Sequence, residues 1–294
     1  MGMNEITLDA YSKINLALDV TGKRDDGYHL VKMVMQTVGI HDRVTLRKVD
    51  GQSENISLTC SNPKVPLGES NIAWKACKKV IQAKGLNAKV GIHIEKNIPM
   101  AAGMAGGSTD AAAVILGMNE LFELGMSQEE MDDIAVKLGA DVPFCLRRGT
   151  YLSEGIGEVL TKLEDAPECA VLVANPPFEV STAKVYSSLD ELKCAAHPDV
   201  DRLICTIKDK DIQSLAGAMG NILELVTEPQ YEIITQIKEK MLELGCLGSM
   251  MTGSGPTVFG LFEDASKAQL AFEYFKGKPE LGKSFLTEFI RQEK

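Results

Sequence analysis

No apolar run in the 294-residue chain approaches the ~18 residues that a membrane-crossing helix needs, so a membrane protein is not expected. Met1-Gly2-Met3-Asn4-Glu5-Ile6 carries neither the basic segment nor the apolar core of a secretion signal. Gly2 is not followed by the serine or threonine that N-myristoylation requires. No Cys-x-x-Cys pair occurs among Cys60, Cys77, Cys145, Cys169, Cys194, Cys205 and Cys246, and their number is odd. That argues against a disulfide framework or a zinc site and for free thiols in a reducing compartment, read here as the cytoplasm. Runs of basic residues are missing too, and the net charge is −10, which argues against nucleic-acid binding. In so acidic a chain a phosphate must be held by local backbone N–H groups and a few lysines, not by a positive bulk field. Internal repeats and low-complexity tracts are absent from the sequence.

What is present is a mixture of strand and helix periods. Ile6, Leu8 and Ala10, then Ile14, Leu16, Leu18 and Val20, alternate as in a strand, which puts Lys13 and Asn15 together on the other face. Asp25-Asp26-Gly27 marks a turn, 31–46 reads as a further strand, and 50–70 combines a short strand with a Pro/Gly loop. Asn71 to Gly85 reads as a helix, and Val90, Ile92 and Ile94 as a strand. A nearly all-apolar helix from Ala111 is stopped by Gly125. Ser127 with Glu130 forms a capping box before Met131, Ile134, Ala135 and Leu138, with Gly139 as the stop. Pro143 is expected to hold Val142 extended, leaving Asp141 at a helix exit. Residues 163–168 read as a linker between domains 1–165 and 166–294. Beyond it come a strand at 170–174, helices at 182–190, 199–223, 230–244 and 266–276, strands flanking a glycine turn at 251–257, and a last strand at 284–290. The order lacks a regular βαβ beat, so the fold class expected is α+β with two domains.

Four segments carry chemistry. Pro99-Met100-Ala101-Ala102-Gly103-Met104-Ala105-Gly106-Gly107-Ser108-Thr109-Asp110 joins a strand to a buried helix. Its glycines allow a close approach of backbone to ligand, and the helix start offers N–H groups and a dipole to an anion. Ser108 and Thr109 add hydroxyls for phosphate or Mg²⁺; the plainer alternative is a tight turn capped by Ser108 or Asp110. Lys13 and Asn15, with Tyr28-His29 after the turn, taken alone read as solvated or packing residues. Asp141 taken alone reads as a loop acid. Met251-Thr252-Gly253-Ser254-Gly255-Pro256-Thr257 reads from its spacing as a hairpin turn, with a place near a phosphate as the other possibility. Gly277-Lys-Pro-Glu-Leu-Gly-Lys-Ser284 matches a P-loop pattern but follows a helix and precedes a strand, the reverse of what that motif needs.

Together Ala10-Tyr-Ser-Lys-Ile-Asn-Leu16, Arg24-Asp-Asp-Gly-Tyr-His29, the glycine loop, Leu138-Gly-Ala-Asp-Val-Pro143 and Ser153-Glu-Gly-Ile-Gly-Glu158 resemble the GHMP kinase superfamily nearly end to end. The Asp-Gly-Tyr-His segment narrows the resemblance to the branch acting on a cytidine-diphosphate-linked methylerythritol in non-mevalonate isoprenoid biosynthesis. The resemblance implies an N-terminal domain like ribosomal protein S5 domain 2 and a ferredoxin-like α+β C-terminal domain. It implies ATP-dependent phosphorylation of the 2-hydroxyl, with Lys13 and Asp141 as the catalytic pair and Asp141 as proton acceptor. It places Tyr28 on the cytosine, His29 on the base edge, Asn15 and Thr182 near the reacting hydroxyl, and Tyr186 as a second aromatic. It places Asn71 and Lys96 at the adenine, Pro99 to Thr109 at the phosphates, and Ser108 on Mg²⁺. The partners implied are small molecules, with the chain a monomer or weak homodimer. A homoserine- or mevalonate-type kinase is the alternative, and a catalytically dead nucleotide-binding protein is disfavoured because Lys13 and Asp141 are both present. The family's loop usually reads Gly-Leu-Gly-Gly-Gly-Ser-Ser, whereas here Ala105 stands where a glycine would reach φ > 0 without cost.

Overall fold

The computed structural model describes residues 3–50, 55–192 and 196–292; the readings on Gly2 and Cys194 fall outside them. In chain order the strands are β1 (Glu5–Lys23), β2 (His29–Val49), β3 (Asn55–Cys60), β4 (Lys89–Glu95), β5 (Thr150–Glu154), β6 (Val159–Lys162), β7 (Ala170–Asn175), β8 (Gly220–Asn221), β9 (Gly248–Met251), β10 (Val258–Phe262) and β11 (Lys283–Glu288). The helices are α1 (Ile72–Lys84), α2 (Gly106–Leu121), α3 (Gln128–Ala135), α4 (Val142–Cys145), α5 (Thr182–Leu189), α6 (Val200–Asp209), α7 (Ile212–Ala218), α8 (Glu224–Thr227), α9 (Glu232–Glu243) and α10 (Ala265–Lys276). This is the expected α+β mixture. Among the described residues no helix is long and apolar enough to cross a membrane.

The chain forms two compact units that interleave along the sequence. The first comprises Met1–Ser12, Ile40–Ile98 and Ala105–Arg147. In it β3 runs parallel to β4, and β4 pairs antiparallel with residues 43–49 of β2. Alternate residues Val44 and Leu46 of β2 and Val90, Ile92 and Ile94 of β4 turn inward and meet α1 and α2 in one apolar core. Helix α2 is buried on nearly all sides, from Ala111 through Leu121. Gly117 lets it approach the sheet, because a Cβ there would meet Leu46 Cδ1 at 2.3 Å. Helix α1 starts at Asn71, whose side chain accepts from the Ala73 N–H, and stops at Gly85 in the left-handed conformation, φ 60°. The capping box of Ser127 and Glu130 opens α3 as expected.

The second unit comprises Lys13–Gly39, Pro99–Met104 and Arg148–Lys294. Residues 33–36 of β2 pair antiparallel with β5, and β5 with β6; β1 meets β8 in parallel at Ala17 and Leu18. A separate antiparallel sheet has the order β11-β7-β10-β9. Its central strands β7 and β10 are almost wholly buried.

Four local expectations are corrected. The helix expected over 199–223 is two: Lys210 ends α6 at φ 57°, and Asp211 caps α7 by accepting from the Gln213 and Ser214 N–H groups. Helix α3 ends at Ala135, not at Gly139: the Leu138 N–H reaches back only three residues, to the Ala135 carbonyl, as the chain tightens into turns. Val142 is not extended but opens α4; Pro143 sits in that first turn, where its missing N–H costs nothing. Lys13 and Asn15, solvated on a plain reading, are 4% and 0% exposed, since β1 is covered on both faces from Ser12 to Asp19. The P-loop lookalike runs from the end of α10 through a 3₁₀ turn into β11, the context that excludes it. Residues 251–257 turn tightly between the antiparallel strands β9 and β10.

Candidate active site

The loop between β4 and α2 enters the left-handed region three times, at Ala101 (φ 49°), Gly103 (φ 69°) and Ala105 (φ 57°). Glycine does this freely, whereas each alanine carries a penalty of about 1–2 kcal/mol. Ala105 therefore adopts the conformation that its sequence disfavours. It is the N-cap of α2 and offers no side chain to the helix, and no acid lies in the helix's first turn. The opening N–H groups and the positive end of the dipole stay unclaimed by any capping side chain. The Thr109 hydroxyl donates to the Tyr11 carbonyl at 2.7 Å and so ties α2 to β1. Ser108, half-buried one residue earlier, is the hydroxyl that remains.

In the second unit β1 presents Lys13 and Asn15 to the same loop. Lys13 Nζ donates to Asn15 Oδ1 at 2.7 Å and to the Gly103 carbonyl at 3.0 Å. The Asn15 backbone N–H donates to Thr252 Oγ1 at 3.0 Å. Gly103 is packed so closely that a Cβ would lie 2.3 Å from the Thr252 carbonyl oxygen. The turn at 251–257, the hairpin turn expected from its spacing, thus lies against Gly103 of the glycine loop. A buried ammonium costs several kcal/mol unless it is paired or hydrogen-bonded; Lys13 is met by two neutral oxygens, with no carboxylate among its hydrogen-bond partners.

In the first unit both stems of the loop converge on a buried carboxylate. Asp42 Oδ1 accepts from the Asn97 N–H at 2.6 Å and the Ile98 N–H at 2.9 Å. Its other oxygen takes Lys96, whose ammonium also donates to Asp110 Oδ2 at 2.8 Å. One lysine cannot neutralise two acids. Burial pushes the Asp110 carboxyl up to about 8, against the pull of Lys96, and Asp42 adds repulsion. Burial also opposes the Lys96 charge, but Asp110 and Asp42 outweigh it and raise its affinity for the proton. The arrangement with least uncompensated charge keeps a proton on Asp110, whose buried Oδ1 has no partner, and leaves the Lys96 ammonium against Asp42.

A third group surrounds the start of β2. Tyr28 is 61% exposed. The His29 ring stacks obliquely on Tyr186, with centroids 4.8 Å apart, and its Nε2 lies 2.7 Å from Asp190 Oδ1. Thr182, at the start of α5, shares a hydrogen bond of 2.8 Å with Ser254. Asp141 precedes α4 half-buried, and its side chain makes no capping hydrogen bond. Asn71 spends its amide locally, accepting from Ala73 and donating to the Pro66 carbonyl.

The sequence reading missed Asp42 and Asp190, and it saw Thr252 and Ser254 only as parts of a turn and Asp110 only as a possible cap. Asp42 carried a signal, for it occupies an inward position in the alternation Ile40, Asp42, Val44, Leu46.

The GHMP kinases N terminal domain family matches residues 71–149, and the GHMP kinases C terminal family residues 203–280. A 4-diphosphocytidyl-2-C-methyl-D-erythritol kinase from Acetivibrio thermocellus is 50% identical over 98% of this chain and 100% of its own length. Its namesake from Lachnospira eligens is 46% identical over 97% and 99%. A crystal structure of a 4-(cytidine 5'-diphospho)-2C-methyl-D-erythritol kinase superposes with TM-score 0.80 at 28% identity, covering 97% of this chain and 99% of that one. A homoserine kinase from Cytophaga hutchinsonii, at TM-score 0.76 and 20% identity over 98% and 95%, shares the fold.

The protonated Asp110 gives a stability signature. Its folded-state proton affinity, up at about 8, exceeds the unfolded value of about 3.9. Its contribution is therefore fully present below about pH 4, declines as pH rises, and is gone above about pH 8. Urea unfolding of Asp110→Asn beside the wild type, from about pH 5 to about pH 9, is expected to show the difference moving in the variant's favour up to about pH 8 and levelling off beyond it. A difference independent of pH would mean that Asp110 is ionised throughout.

Proposed function

The chain belongs to the GHMP kinases and, within them, to the 4-diphosphocytidyl-2-C-methyl-D-erythritol kinases; from that membership we propose that it transfers the terminal phosphoryl group of ATP to the 2-hydroxyl of that compound, giving the 2-phosphate and ADP. The observation that carries the reading is the buried Lys13 ammonium hydrogen-bonded to the Gly103 carbonyl of the glycine loop. A fixed cation at the loop suits a transferring phosphoryl, whose negative charge is met by positioned donors rather than by covalent chemistry.

In this reading the backbone of Pro99 to Thr109 and the first turn of α2 hold the phosphates. Asp141 accepts the proton as the substrate oxygen bonds to phosphorus and the bond to ADP breaks, while Lys13 stabilises the charge on both. Asn15, held on its strand by Thr252, and Thr182, fixed by Ser254, orient the substrate. Tyr28 and Tyr186 enclose the cytosine and His29 reads its edge. Asn71 and Lys96 line the adenine by shape, since the Asn71 amide and the Lys96 ammonium are committed to other protein atoms.

Mg²⁺ fits this donor set. It binds through one or two protein oxygens, phosphates and waters, and the half-buried Ser108 at the helix start supplies one such oxygen. When bound, the ion would neutralise phosphate charge. The free thiols of the described cysteines suit a cytoplasmic setting.

The direct test is phosphate transfer from ATP to 4-diphosphocytidyl-2-C-methyl-D-erythritol, with homoserine and mevalonate as rival acceptors. Turnover confined to a rival would sink the proposal. Asp141→Asn is expected to lower kcat by about 10²–10⁴-fold, the usual contribution of a general base, with ATP binding by calorimetry little changed. Should kcat hold within a fewfold, charge stabilisation by Lys13 without a base becomes the mechanism. Tyr28→Ala is expected to raise KM for the cytidine substrate by about tenfold, the scale of one lost base–aromatic stack, while KM for ATP stays put.

A further inference from the structure

The contacts around His29 reach beyond its place at the base edge. The residue opens β2, and its side chain is 12% exposed. Tyr186 and Asp190 stand four positions apart at the end of α5, so they share one face of the helix turn. That single face grips the imidazole twice. The Tyr186 ring lies against its plane at 37°, with centroids 4.8 Å apart. Asp190 Oδ1 lies 2.7 Å from Nε2.

Asp190 sits at a costly position. It is the C-cap of α5, where the helix dipole presents its negative end and an acid is disfavoured. Its partners offset that cost. Lys23, from the end of β1, donates to Oδ2 at 2.5 Å, and His29 occupies Oδ1. These hydrogen bonds, Lys23 first and His29 second, hold the carboxyl below the usual aspartate range. Asp190 is therefore a carboxylate, an acceptor only.

The consequence for His29 is chemical. A neutral imidazole carries one N–H and one bare nitrogen, and the partner of one fixes the state of the other. In that neutral form, facing a carboxylate makes Nε2 the donor and leaves Nδ1 as the acceptor. Among the described residues nothing donates to Nδ1. Cytosine and uracil differ at ring position 4, where cytosine presents an amino donor and uracil a carbonyl acceptor. A fixed acceptor pairs with the first and leaves the second facing a lone pair.

We propose that Asp190 is a specificity-determining positioning residue, which locks Nδ1 of His29 as an acceptor for the 4-amino group and so selects a cytidine over a uridine diphosphate substrate. Lys23 holds Asp190 ionised and in place, and Tyr186 fixes the plane of the ring. The inference rests on the proposed substrate and adds what enforces the choice of base.

The test compares kcat/KM for 4-diphosphocytidyl-2-C-methyl-D-erythritol and for its uridine counterpart. The wild type is expected to prefer the cytidine compound strongly, as sites built around a polar group do. Asp190→Ala lets His29 exchange tautomers, and the preference is expected to fall by about tenfold or more, chiefly through KM. Asp190→Glu, which keeps an acceptor, is expected to restore part of it. Long-range ¹H–¹⁵N spectra of the substrate-free wild type, taken at a pH where the imidazole is neutral, should show the His29 proton on Nε2. A proton on Nδ1 overturns the proposal, as does an Asp190→Ala enzyme that loses the same factor on both substrates and keeps its preference. A wild type inactive on both substrates overturns the substrate reading and the inference with it. A wild type that prefers cytidine, with that preference untouched in the alanine variant, overturns the inference alone.

Discussion

A lysine buried in a strand must have its ammonium met by oxygen atoms, and where those oxygens come from decides what the surrounding chain can do. Lys13 takes one from Asn15, two residues along β1, and one from the backbone of Gly103. Neither carries charge. The ammonium is fixed without a carboxylate beside it. A carboxylate in place of either oxygen would cancel its field. In a chain of net charge −10, the phosphate binding proposed for the loop would have to rest on local donors of this kind rather than on a positive bulk field.

The same loop needs its ends held. On the way in, the Asn97 and Ile98 N–H groups are taken by Asp42; on the way out, Asp110 on α2 shares Lys96 with Asp42. The charges in the two places have opposite uses. Around Lys13 the cation is left in excess. Around Lys96 there are more acids than cations, and burial resolves the excess by keeping a proton on Asp110. That proton removes a negative charge from the first turns of α2, where an ionised acid would compete with phosphate for the helix dipole.

How much of this was legible in the sequence divides along a physical line. Periodicity gave β1, β2, β4, α1 and α2, because each buries at least one apolar face and so alternates or repeats visibly. The capping box at Ser127 was readable because it is local. The burial of Lys13 and Asn15 was not, since polar residues opposite an apolar face look solvated until a second layer covers them. The role of Thr252 was hidden for a related reason: the close approach of its carbonyl to Gly103 spans positions far apart in sequence, and the spacing of 251–257 suggests only a turn. Asp190 left no pattern, because its meaning lies in what His29, Lys23 and Tyr186 bring to it. The resemblance to a family supplied roles for Lys13, Tyr28, His29 and Asp141 that their local context could not.

The two alanines of the loop show how these constraints combine. Ala101 and Ala105 both sit at positive φ, at an intrinsic cost of about 1–2 kcal/mol each. A free loop would relax, but this one is held at both ends within the first unit. Its entry is pinned by Asp42, and its exit by Thr109 on the Tyr11 carbonyl. Between fixed ends the number of conformations is small, and an alanine has far less freedom to lose from the unfolded chain than a glycine. Part of the left-handed penalty at Ala105 is thereby offset before any ligand binds. The strain that remains sits immediately before the N–H groups of α2, at a conformation a phosphate would otherwise have to impose. Under the proposed function, a loop pre-set in this way would give up some stability when empty and spend less binding energy on ordering itself around a nucleotide.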